Sequence, residues 1–95
     1  MVTHLHVAFE VEDYDAWKKG YDASRDVRKA SGEVSYRIYH NVDDPGTVTV
    51  LSVQKSAENV QNLMDSPDMK QRMQAAGITK MGQMFLLEEV ESGTL

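Results

Sequence analysis

Cysteine is absent from the 95 residues, which excludes disulfides, thiolate zinc sites, thioredoxin-type exchange and a cysteine nucleophile. Proline occurs only at Pro45 and Pro67, and no low-complexity linker or internal repeat divides the chain, so residues 1–95 read as a single domain. No apolar run approaches the roughly 18 residues of a membrane helix, and the N-terminus lacks a charged-then-apolar export signal. The expectation is a cytoplasmic protein with no membrane partner. Basic residues are the minority: 10 against 15 acidic ones, a net charge of −5, which argues against nucleic acid as a partner. Aliphatic mass is scarce too. Leu, Ile, Val and Phe make up 21 of 95 residues, close to the floor of about 20% below which chains tend to stay disordered. So small a domain with so thin a core gains from a partner that completes it.

What is present is strongly patterned. Thr3 to Val11 alternates, with Leu5, Val7, Phe9 and Val11 on one face and His4, His6, Ala8 and Glu10 on the other, a strand by its period of two. Asp13 is placed to cap a helix over roughly 14–31, with Asp15 in its first turn, Arg28 and Lys29 in its last, and Gly32 as its stop. Val34–Asn41 reads as a second strand, Asp43-Asp44-Pro45-Gly46 as a loop and Thr47–Val53 as a third strand. Ser56 starts a helix carrying Val60 and Leu63, and Ser66-Pro67-Asp68 starts another that ends at Gly77. Gln83–Val90 is the last expected strand, with a frayed tail after it. The order β-α-β-β-α-β, with the second helix broken at Ser66-Pro67, closes into a ferredoxin-like split βαβ fold. Its antiparallel four-stranded sheet carries helices on one face.

The sheet's other face needs cover as well. The third strand has Val48 and Val50 on one side but Leu51 and Val53 on the other, and the fourth has Met84 and Leu86 against Phe85 and Leu87. Strands apolar on both faces must be buried on both. The simplest cover is a second copy, which predicts a homodimer packed sheet to sheet.

These features resemble the dimeric α+β barrel superfamily, near small proteins related to antibiotic-biosynthesis monooxygenases and cyclases. The resemblance rests on Val11-Glu12-Asp13-Tyr14-Asp15-Ala16-Trp17-Lys18, Arg28-Lys29-Ala30-Ser31-Gly32, Asp43-Asp44-Pro45, Ser66-Pro67-Asp68-Met69-Lys70 and Ala75-Ala76-Gly77-Ile78. It implies a cofactor-independent monooxygenase or a cyclase/isomerase acting on an aromatic or polyketide-like molecule. The alternative is a non-catalytic dimeric binding module, because one fold hosts many chemistries. Haem-degrading members of the superfamily carry a tryptophan at the end of the third strand and a histidine late in the second helix. Here those stretches read Val53-Gln54-Lys55 and Met69-Lys70-Gln71-Arg72-Met73-Gln74. With no glycine fingerprint either, no cofactor and no tightly held metal are expected.

Within that frame, Trp17, Tyr21 and Arg28 share one helical face and Tyr36 points at it from the second strand. An aromatic wall with one cation suits a flat phenolic or enolic ligand, the rings stacking and the guanidinium stabilising an oxyanion. Ordinary core packing, with Arg28 reaching to solvent, is the competing explanation. His6 is the candidate general base. With His4 and Glu88 or Glu89 it could also form a two-histidine, one-carboxylate set, although the spacing is not diagnostic of metal. Gly20 on the buried face implies either close packing or space between helix and sheet. An enclosed cavity there of roughly 300 Å³ or more, with a polar group inside, favours a ligand site.

Overall fold

A computed structural model describes residues 2–95. Strand β1 (Thr3–Val11) buries every second residue, and the buried set is Leu5, Val7, Phe9 and Val11, as the alternation requires. Helix α1 (Tyr14–Ala23) starts where Asp13 accepts hydrogen bonds from the Asp15 and Ala16 amides at 3.0 and 3.4 Å. The expected single helix over 14–31 is interrupted at Ser24. There the backbone flattens to φ −92°, ψ 10°, the Ser24 hydroxyl donates to the Tyr21 carbonyl at 2.9 Å, and the helix resumes as α2 (Arg25–Ala30). A serine hydroxyl bonding to a carbonyl of the preceding turn competes with the helical ladder and bends it. Gly32, at φ +103°, then turns the chain into the sheet, a conformation that costs glycine little.

Strands β2 (Glu33–Asn41) and β3 (Asp44–Gln54) form a hairpin tighter than the expected four-residue loop, with Asn41 paired to Asp44 and only Val42 and Asp43 between them. The Asp44 carboxylate accepts from the Gly46 amide at 3.0 Å and the Thr47 hydroxyl at 2.7 Å, so this proline-containing stretch stays ordered at the strand end. Helices α3 (Ala57–Asp65) and α4 (Pro67–Ala75) are separated at Ser66, as expected. Ser56 and Ser66 each accept an amide hydrogen bond, at 3.1 and 3.0 Å, and Pro67 occupies the first helical position. Strand β4 runs Ile78–Leu87 rather than Gln83–Val90. The long β1 templates it from Val11↔Ile78 to His4↔Leu87, one residue short of the start of β1 at Thr3.

The sheet is antiparallel in the order β2-β3-β1-β4. Phe9, Trp17, Val48 and Val50 centre the core between sheet and helices. On the other face Leu51 and Val53 are half-buried, while Phe85 and Leu87 are 44% and 46% exposed. The ferredoxin-like α+β architecture is therefore as expected, and its second sheet face, where these apolar side chains share the surface with His4, His6 and Arg37, is uncovered in the single chain.

A bulge in β4 opposite Ala8 brings the two backbones close: a Cβ on Gly82 would lie 2.5 Å from the Ala8 carbonyl oxygen. Gly82→Ala must displace backbone rather than a side-chain tip. It is expected to cost about 1–3 kcal/mol, in the range of other overpacked sites. The urea midpoint measures the loss.

Candidate functional site

A cavity of about 120 Å³ lies between the helices and the sheet. Its floor is Leu5, Val7 and Phe9 of β1 with Val50 of β3. Its first wall is Trp17, Gly20 and Tyr21, and its second is the flexible set Leu63, Met64, Met69 and Met73. Gly20 serves both roles its position allowed. It lines the cavity, and a Cβ there would come within 3.3 Å of the Ala76 Cβ. The volume falls short of the roughly 300 Å³ of a drug-sized pocket, so it suits a ligand of one or two rings.

One end of this apolar space is polar. Arg28, 6% exposed, points inward instead of reaching to solvent, and its Nη1 donates to Glu33 in a pair shielded on both sides. Its Nη2 donates to the Tyr21 carbonyl at 3.2 Å, and its guanidinium carbon sits 3.7 Å from the Tyr21 ring centre and 5.1 Å from that of Tyr36. Such stacking holds a cation with little hydration. Gln54 donates to Ser52 at 2.8 Å beside this group, both residues buried. Two polar atoms in the cluster have no partner although they are buried: Arg28 Nε and the Tyr21 hydroxyl. An unpaired buried donor costs about 1–3 kcal/mol, so this end of the cavity is polar and incompletely satisfied.

Burial pushes the Tyr21 phenol upward, with the neighbouring Glu33 charge adding to the shift and Arg28 opposing it, so Tyr21 stays a neutral donor at physiological pH. Burial also raises the Glu33 carboxyl above its ordinary value, the attraction to Arg28 and bonds from Arg28 and Gln54 offsetting only part of the desolvation. The pair is close and still does not fully repay its loss of water.

The predicted site residues separate into three places. Trp17, Tyr21 and Arg28 come together, Trp17 being 2% exposed and packed against Phe9, Tyr14 and Tyr21 at ring distances of 5.2, 5.7 and 5.0 Å. Tyr36 does not line the cavity. It meets Tyr21 edge-on at 5.5 Å and faces an outer cleft with Arg25, Lys29 and Ser35, where Arg28 and Glu33 form the partition. His6 is not in this site. It is paired with Leu51 and Phe85 on the opposite face of the sheet, its ring tilted against that of Phe85 at 5.8 Å, with Nδ1 buried and unpartnered. A base on one sheet face cannot serve a ligand on the other, so joining His6 to Arg28 in one active site is corrected. Among the described residues no group of three His, Asp or Glu side chains is arranged to hold a metal ion.

Glu33, Ser52 and Gln54 are the site residues that sequence reasoning missed. Ser52 and Gln54 continue the Val48, Val50 face at period two, and that continuation marks them as buried polar groups. Glu33 carries no comparable signal beside a glycine turn.

No family model and no curated protein matches the sequence. Solved structures do match, over nearly the whole chain. One is a protein from Bordetella bronchiseptica assigned as an antibiotic biosynthesis monooxygenase (TM-score 0.77, 11% identity, 95% of this chain and 98% of that one). Another is SnoaB from Streptomyces nogalater, a cofactor-independent oxygenase (TM-score 0.73, 12% identity, 96% and 94%). A third is a protein from Mycobacterium tuberculosis (TM-score 0.68, 17% identity, 99% and 100%). The chain has the fold of the antibiotic-biosynthesis-monooxygenase-like α+β barrel proteins. At these identities the likeness concerns the fold.

Proposed function

We propose that this protein is a homodimer that binds a small cyclic molecule in the helix–sheet cavity and oxygenates it without a cofactor. The observation that carries the proposal is an apolar space closed at one end by polar side chains, two of which, Arg28 and Tyr21, each hold a buried polar atom without a partner. Trp17 and Tyr21 are the walls against which a ring packs. Glu33, rather than His6, is the carboxylate placed to take a phenolic or enolic proton, and Arg28 and Tyr21 hold the oxygen anion that forms. In the oxygenation a ring CH₂ becomes a carbonyl with one oxygen atom of O₂. The second leaves as water, and the electrons come from the substrate's own C–H bonds. SnoaB, a cofactor-independent oxygenase of the same fold, supports this reaction class.

The homodimer is argued from the open sheet face, where Leu51 and Val53 on one side and Phe85 and Leu87 on the other flank His6 and His4 of β1, the His6 ring lying tilted against Phe85. His6 belongs to that interface. A second function, a binding module without catalysis, is favoured by the modest cavity volume.

Trp17 is the sole tryptophan, so its emission reports occupancy directly. One- and two-ring phenols and cyclic ketones are expected to change it saturably, and those that carry a ring CH₂ to drive oxygen uptake in an oxygen electrode. Saturable binding without oxygen uptake selects the binding module. A panel that leaves Trp17 unmoved refutes the cavity as a ligand site.

A further inference from the structure

Arg28 is the cavity's cation, and its charge is already taken. Glu33 occupies Nη1 inside the protein, the side chains being 8% and 12% exposed, and both residues border the cavity. A ligand carboxylate entering beside them would place two anions around one guanidinium in a space with little water, and like charges at short range in such a place repel strongly. Arg28 and Tyr21, which border the cavity, also keep two buried polar atoms without a partner, Arg28 Nε and the Tyr21 hydroxyl. A neutral ring bearing a carbonyl or hydroxyl oxygen brings an acceptor to this end of the cavity without adding charge.

We infer that Glu33 is a specificity-determining residue: by engaging Arg28 it makes the cavity select neutral, oxygen-bearing rings and reject preformed anions. The inference rests on the cavity being a ligand site. It also changes the ligand class that an unpaired arginine on an aromatic wall suggests, from aromatic acids to ketones, phenols and enols. Glu33 acts here through Arg28, so a merely structural role predicts loss of binding for every ligand, whereas a charge gate predicts a reversal of preference.

Acetophenone and benzoate test this, because they match in ring and size and differ in charge. Binding is followed by the Trp17 indole N–H resonance in the full-length protein, with ligand-induced change in Tm as a second readout. The native protein is expected to bind acetophenone at least tenfold more tightly than benzoate. In Glu33→Gln, benzoate affinity is expected to rise at least tenfold and acetophenone affinity to change by less than threefold. Benzoate then raises the Tm of the variant and not that of the native protein. Arg28→Met combined with Glu33→Leu removes both charges and is expected to leave benzoate weak. Native protein that binds benzoate as well as acetophenone overturns the gate while leaving the cavity a ligand site, as does a Glu33→Gln variant with unchanged preference. Binding of neither probe to either protein overturns the gate and the ligand site together.

Discussion

Leu51→Asp and Phe85→Asp are each expected to convert the proposed sheet-to-sheet homodimer into a dissociated, largely unfolded chain. Leu51 pairs with His6 across β1 and β3, and Phe85 pairs with His6 across β1 and β4, so both substitutions fall on the open sheet face, Leu51 on an inner strand and Phe85 on an edge strand. In a two-fold assembly each substitution appears twice at one interface, so two unpaired carboxylates are buried together. A rise in dissociation constant of at least about a hundredfold, or about 2.8 kcal/mol, is the minimum expected. Because the chain's own core is thin, monomer and unfolded chain should appear together, as they do in obligate dimers. Sedimentation equilibrium and far-ultraviolet circular dichroism at micromolar concentration measure both. A native protein that sediments as a stable folded monomer of 10.7 kDa would falsify the sheet-to-sheet dimer.

The second large effect is an asymmetry within the buried ion pair. Arg28→Met leaves the Glu33 carboxylate without its cation and is expected to cost about 3–5 kcal/mol at neutral pH. For a domain of this size that lowers Tm by more than about 10 °C. Glu33→Gln is expected to cost less than about 1 kcal/mol, because Arg28 keeps the Tyr21 carbonyl and two ring faces, and because desolvation already makes the charged carboxylate unfavourable. The pH dependence follows from the same shift. The folded state holds the Glu33 proton to higher pH than the unfolded chain does, so between the ordinary value of 4.5 and the raised one the native state binds more protons. Glu33 therefore contributes stability that is greatest below 4.5 and is lost as pH rises through its folded value. Removing Arg28 raises that value further. The deficit of Arg28→Met should shrink on acidification from pH 7 to 5, while the Glu33→Gln protein should lack the Glu33 contribution to the slope. Urea midpoints at the two pH values decide this, and an Arg28→Met deficit that grows on acidification contradicts the assignment.

Local rules decided much of this protein from sequence alone. The period of two in Thr3–Val11 assigned each β1 side chain to a face, including His6 to the side away from Leu5 and Phe9, and Asp13, Ser56 and Ser66 fixed helix starts by side-chain capping. These outcomes depend on neighbours within four residues, so a linear reading contains them. The same alternation already barred His6 from the face that holds Arg28. Only the tertiary structure decided that Arg28 turns inward, that Glu33 meets it, and that Ser52 and Gln54 complete the polar end of the cavity. The bend at Ser24 aims α2, and the register pairs Glu33 with Gln54 across the hairpin. Whether a buried arginine is a free anion site or a neutralised one is a matter of distances between elements, and no local pattern carries those distances. Strand β4 shows the same limit, its bounds being set by the length of β1 rather than by its own composition.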